Sequence, residues 1–174
     1  MKKIFLAVVI SVAGFIGAKA QAPEGFQFGA GVRLGLPIGD FSDISSFGIG
    51  GELQGEYGFS DMVSLIVTSG YSSFLGKKVD LPGVGSYKYD ATGYIPILAG
   101  VRVYPSEQFF IGGQVGYGIL TGGGSSDGAF NYQPQIGYNH QNIQVALNYN
   151  GLSKDGSTLS HIGLTAIYKF GGSK

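Results

Sequence analysis

The chain alternates. Between residues 26 and 36, Phe26, Phe28, Ala30, Val32, Leu34 and Leu36 are apolar, while Gln27, Gly29, Gly31, Arg33 and Gly35 are polar or glycine. The next run, 47–59, reverses the parity. Phe47, Ile49, Leu53, Tyr57 and Phe59 alternate with Gly48, Gly50, Glu52, Gln54, Glu56 and Gly58. A period of two places successive side chains on opposite faces of a strand, so both runs are two-faced strands. They are 11 and 13 residues long, beyond a usual soluble strand and near what a tilted strand needs to cross a bilayer. Six similar runs follow, at 63–74, 93–104, 109–120, 129–139, 143–151 and 159–170. The total of eight is even, as antiparallel closure with both chain ends on one side requires.

The connections also alternate. Short turns are expected at 60–62, 105–108 and 140–142, and longer loops at 37–46, 75–92, 121–128 and 152–158. Within the longest, the alternating stretch 84–89 predicts an extension of its hairpin. Short turns on one side and long loops on the other are the pattern of bacterial membrane barrels. A soluble up-and-down barrel would keep its apolar face inside and stud the outside with Lys and Glu. Here the polar face is mostly Gly, Gln, Asn and Ser, with Arg33, Glu52, Glu56, Arg102 and Lys169 as its few charges. Small residues suit the narrow interior of eight strands. Aromatics gather toward the strand ends in two bands. Phe26, Phe28, Tyr57, Phe59, Phe109, Tyr138, Tyr168 and Phe170 form one, and Tyr71, Tyr117, Phe130, Tyr132 and Tyr149 the other. Such bands form the girdles of a membrane barrel. The expected fold is all-β: a closed eight-stranded antiparallel up-and-down transmembrane barrel. Val32→Arg is expected to hurt insertion, and Gly31→Ser to cost far less.

The first twenty residues carry a different signal. Lys2 and Lys3 precede an apolar stretch at 4–16, and Ala18-Lys19-Ala20 supplies a small-x-small cleavage site. The stretch is shorter than the roughly 20 residues of a spanning helix. Residues 1–20 therefore read as a signal peptide and 21–174 as one barrel domain. Cleavage removes three lysines and leaves 8 basic against 11 acidic side chains, so no basic field for nucleic acid remains. Charged residues are 13% of the chain, below the roughly 25% of soluble domains. With no cysteine there is no disulfide framework, thiolate ligand or lipidation cysteine.

In its segments 28–41, FGAGVRLGLPIGDF, and 94–105, YIPILAGVRVYP, the chain resembles the small eight-stranded outer-membrane barrels of the OmpA/OmpX type. It is most similar to the compact barrel-only proteins common in Bacteroidetes. The last run, with His161, Gly163, Ala166, Tyr168 and Phe170, is similar to the assembly signal of such barrels, although here Gly171 to Lys174 follow the aromatic. The resemblance implies a bacterial outer-membrane location and lipid as the surrounding partner. It leaves function open among adhesins, structural barrels and a few lipid-modifying enzymes.

Candidate chemistry is sparse. The glycine-rich runs 29–35 and 113–118 lie within strands and lack the following helix that a phosphate loop needs. Ser160-His161 is similar to the serine and histidine of lipid A deacylase barrels, but alternation turns His161 inward, and no acid is placed to orient it. His140 sits at a short turn, far from His161, so neither is expected to hold a metal. No cofactor site and no catalytic residue are expected. The lumen charges carry more information. Arg33 and Glu52 fall at similar heights in the outer half, and Glu56, Arg102 and Lys169 near the periplasmic end. Unpaired charges in a narrow lumen are costly, so a structural plug of ion pairs and glutamine amides is expected. Loop 75–92 is the place for a surface or protein partner, since exposed strand edges accept an added strand. The function expected is a non-enzymatic outer-membrane barrel with a plugged polar lumen and surface contacts through its loops. A narrow porin-like solute pore and a lipid-modifying enzyme are the alternatives.

Overall fold

The structure, a computed structural model, describes residues 25–81 and 85–170. The expected signal peptide at 1–20 and the tail at 171–174 lie outside them. Eight strands close a barrel: β1 (Gly25–Ile38), β2 (Ser45–Ser60), β3 (Val63–Gly76), β6 (Thr92–Val103), β7 (Phe109–Gly122), β8 (Ser125–His140), β9 (Ile143–Lys154) and β10 (Ser157–Phe170). Each pairs antiparallel with its neighbour in sequence, and β1 closes against β10. A short helix, α1 (Phe41–Ile44), follows β1. The hairpin of β4 (Lys78–Leu81) and β5 (Gly85–Lys88) forms a separate two-stranded sheet between β3 and β6; β5 falls in the alternating stretch 84–89, whereas β4 lies before it and the pair does not extend the barrel sheet.

The fold is inside out relative to a soluble protein. Charged and amide side chains are buried, while aliphatics such as Leu53 (64% exposed) and Val67 (56%) cover the outside. In water so much exposed apolar surface would drive aggregation; against lipid it is the stable arrangement. The bands of aromatics lie on this outer surface, and register brings them together. Phe28 faces Phe170, Phe26 faces Tyr57, and Phe109 faces Tyr138 at the end where β1 begins and β10 finishes. Tyr117 faces Phe130 toward the other end, where Tyr132 packs on Tyr149 with ring centroids 6.0 Å apart.

Two of the expected long loops are absent as loops. β7 runs into β8 through Gly123-Gly124, and β9 into β10 through Asp155-Gly156. All four of these residues have positive φ, the backbone of a tight hairpin turn whose twist matches its strands. Strand pairing continues to Gly122↔Ser125 and Lys154↔Ser157. These strand ends look like loop in the sequence because, past the apolar belt, neither face needs apolar residues.

Two prolines interrupt the ladders. Pairing of β3 with β6 skips from Ser69↔Ile97 to Ser72↔Tyr94 around Pro96. Pairing of β8 with β9 skips from Tyr132↔Gly151 to Gln135↔Asn148 around Pro134. A residue without an N–H cannot complete the pattern. Gly31 has a stricter role than its sequence suggests. A Cβ there would strike the Ala166 carbonyl oxygen and lie 2.7 Å from the Ile167 Cα, so the expected tolerance of Gly31→Ser is wrong. Closing only eight strands bends each one sharply, and at Gly31 the bend brings neighbouring backbone into the space a side chain would use.

Candidate functional site

Buried side chains of the lumen form layers at several heights. At the outer mouth, α1 drops Phe41 onto Phe74, Tyr94, Ala129 and Leu152, an apolar cluster of buried side chains. The His161 ring joins it, with centroids 4.9 Å from Phe74 and 5.4 Å from Tyr94. Neither ring nitrogen of His161 makes a hydrogen bond. The Tyr94 hydroxyl links this cluster to the polar layer below: it accepts from Asn131 Nδ2 at 2.9 Å and donates to Asn150 Oδ1 at 3.3 Å.

Below lies the first ion pair. Arg33 on β1 donates to Glu52 Oε2 on β2 through Nε at 2.6 Å and through Nη2, and Nη2 also reaches Gln133 Oε1 across the lumen at 3.2 Å. The two residues are not direct cross-strand partners, since Arg33 is opposite Gly50 and Glu52 opposite Gly31. Glycine at both partner positions leaves room for the diagonal contact. Thr68 donates to Gln114 Oε1 at 2.9 Å, and Asn150, Asn148 and Thr165 form a short polar chain on the other wall.

The second ion pair is more heavily bonded. Glu56 accepts from four groups: Ser64 Oγ at 2.5 Å, the Tyr104 hydroxyl, Arg102 Nη1 at 2.8 Å and Gln54 Nε2 at 3.3 Å. Arg102 in turn donates to the amide oxygens of Gln144 (3.0 Å), Gln54 (3.1 Å) and Gln135 (3.1 Å). Its guanidinium carbon lies 4.2 Å from the centre of the Phe110 ring, a cation–π contact strengthened by burial. Tyr104, Phe110 and Ala146 form a second apolar layer there.

Of the five charged residues predicted for the lumen, the structure brings Arg33 to Glu52 and Arg102 to Glu56. Lys169 is buried at the same end as Glu56 but forms no ion pair or side-chain hydrogen bond with it. Sequence reasoning missed the lumen's apolar layers. Phe74 and Tyr94 share the even parity of Ser72 and Arg102, and Phe110 that of Gln114, so strict parity counting would have found them. Phe41 has no such signal, because it belongs to a connection.

Outside the barrel wall, at the tips of the extended strands, Lys154 donates to Asp127 Oδ1. That bond holds the Asp127 carboxyl below the usual carboxylate range and raises Lys154. Ser160 faces outward and shares a 2.7 Å hydrogen bond with the Tyr149 hydroxyl, while His161 faces the lumen. Adjacent residues of one strand point to opposite faces, so this serine and histidine cannot act as a nucleophile and its base. Among the described residues, no group of His, Asp and Glu is placed to hold a metal ion.

No protein-family model matches the sequence, and no curated protein does. Solved structures do share its fold. Ail, the attachment invasion locus protein of Yersinia pestis, superposes with a TM-score of 0.59 at 18% identity, over 84% of this chain and 99% of that one. The same protein in a phospholipid bilayer nanodisc gives 0.60 at 17% identity, over 84% and 100% of the two chains. A third structure holds Ail with the heparin analogue sucrose octasulfate, at a TM-score of 0.59 and 18% identity, with the same coverage of 84% and 99%. At these identities the likeness is one of fold: a small eight-stranded outer-membrane β-barrel.

Proposed function

We propose that this chain is an integral bacterial outer-membrane barrel of the OmpA/OmpX type, exported by its leader, non-enzymatic and closed to solutes. It contributes to envelope structure and to surface contacts through its outer hairpins. The observation that carries this reading is the inverted distribution of side chains: a lumen filled by two bonded ion pairs between apolar layers, inside an apolar belt. A conducting barrel needs a continuous water path, and these buried layers argue against one. The opposite facing of Ser160 and His161 supports the absence of lipid-modifying chemistry.

The partner class differs in charge from the polyanion bound by Ail in one of its structures. The outer connections and strand tips of this chain carry six aspartates against four lysines in sequence, a balance without the excess of positive charge that attracts a sulfated glycan. The β4–β5 hairpin, a two-stranded sheet outside the barrel, instead offers backbone edges that a partner's strand can extend. Two measurements test the main proposal. The protein should remain in the membrane fraction after carbonate washing and migrate differently on cold and heated SDS gels, because a closed barrel has no edge for detergent to open. In planar bilayers it should show no steady conductance. Recovery as a soluble periplasmic protein would refute the membrane assignment, and a steady ion current would replace the closed barrel with a pore.

A further inference from the structure

Among the described residues, the lumen holds three cations and two carboxylates, and pairing Arg33 with Glu52 and Arg102 with Glu56 leaves one positive charge over, on Lys169. Glu56 has no capacity for it, because Ser64, Tyr104, Arg102 and Gln54 already occupy its two oxygens. Lys169 is only 8% exposed and makes no ion pair among the described residues. Its stem is buried while its ammonium stays open to the space beside it, where an anion can take the place of the missing counterion.

Space for that anion adjoins it. Lys169 lines a cavity of about 350 Å³ at the barrel end where β1 begins and β10 finishes. The rest of the lining is the amides of Gln27, Gln108, Asn139 and Gln141, with His140 and Glu107. Gln27 Oε1 is buried and accepts no hydrogen bond. The cavity therefore offers one unmatched cation, an unmatched acceptor, several amide donors and one exposed carboxylate, Glu107. A plain anion satisfies Lys169 and is repelled by Glu107. A molecule with a carboxylate at one end and an N–H or ammonium beside it satisfies both.

We propose that this vestibule binds a small carboxylate carrying an adjacent nitrogen donor, as the C-terminal end of a peptide or a free amino acid does. Lys169 takes the carboxylate, and Gln27 and Glu107 take the nitrogen donor. The vestibule opens to the periplasm if the membrane orientation proposed above holds, but binding itself does not depend on that orientation.

The test is a titration of the ¹⁵N-labelled protein, refolded in detergent micelles, followed by the backbone amide shifts of Gln108, Asn139, Gln141 and Lys169. The probes are alanyl-alanine, alanine and acetate at constant ionic strength. Alanyl-alanine or alanine should give saturable shifts in the millimolar range, and whichever binds more tightly identifies a peptide end or a free amino acid as the source. Acetate should bind several-fold more weakly than either. Lys169→Gln should weaken binding by roughly tenfold to a hundredfold, the worth of one charge-assisted hydrogen bond, whereas Lys169→Arg should retain most of it. Glu107→Gln, on an exposed turn where folding is not at stake, should weaken alanyl-alanine and strengthen acetate. Shifts that stay linear with all three probes would overturn the proposal, as would saturable binding unchanged by Lys169→Gln. Alanyl-alanine and acetate both tightening in Glu107→Gln would also overturn it, because it would make Glu107 a competing counterion of Lys169 and not the partner of the nitrogen donor.

Discussion

Glu56→Ala removes the most heavily bonded carboxylate in the lumen. Its side chain is 1% exposed and receives four donors, one of them the Arg102 guanidinium at 2.8 Å. The variant strands that guanidinium in a space where water is scarce. Arg102 retains three glutamine oxygens and the Phe110 ring, none of which carries a negative charge. The Tyr104 and Ser64 hydroxyls lose their acceptor as well. Breaking one side of a buried pair costs about 3–5 kcal/mol, and the remaining amides place this site toward the lower end of that range. The chain has no tryptophan, so the assay is urea-dependent folding into lipid or detergent, read by far-ultraviolet circular dichroism and by the heat-sensitive band on cold gels. Adding Arg102→Met to Glu56→Ala should restore a large part of the loss, because it removes the stranded charge. A single variant within about 1 kcal/mol of wild type, the scale of an exposed pair, would refute the reasoning. So would a double variant no more stable than Glu56→Ala. A wild-type protein that conducts steadily, with Glu56→Ala changing only ion selectivity, would show that these charges line a path.

Three further outcomes are expected. Val32→Arg places a charge on the lipid face, where Val32 is 56% exposed, and should reduce folding stability in bilayers by about 2–4 kcal/mol if it lies at the midplane. Gly51→Ala, opposite Val32 in register and facing open space apart from one contact at 3.7 Å, should be nearly neutral; equal effects of the two would mean the register is wrong. Gly31→Ser should lower the yield of folded barrel clearly, and a wild-type yield would show that β1 and β10 are not so close. The Asp127 carboxylate should titrate by NMR at a lower pH than in Lys154→Ala, because the lysine favours its charged form. Since the folded-state pKa is depressed, the contribution of this pair is present above the ordinary carboxylate range and is lost as pH falls through the depressed value. Identical titration of the two proteins would show that the pair does not form in solution.

The sequence by itself determined the number of barrel strands and the facing of each, because a period of two is a local property of the backbone. Residues 26–36 and 47–59 reveal their two faces without reference to anything else in the chain. At 121–128 and 152–158 the sequence predicts loops where the structure has tight turns at Gly123-Gly124 and Asp155-Gly156, because polar flanks such as 125–128 obscure the strands that continue above the belt. Only the tertiary structure decided which charges meet. Height along a strand depends on the stagger between neighbours, and that stagger places Arg33 diagonal to Glu52 and Glu56 across from Arg102. It also leaves Lys169 beside the vestibule without an ion pair, although counting from strand ends had grouped it with Glu56. The packing of α1 over the barrel end opposite the vestibule was likewise beyond sequence. Phe41 sits in a connection, where no periodicity assigns a face, and its burial follows from the way α1 folds back over Phe74 and Tyr94. Gly31 shows the same division: its inward facing is written in the alternation, but its need to lack a side chain comes from the curvature that closure imposes on β1 against β10.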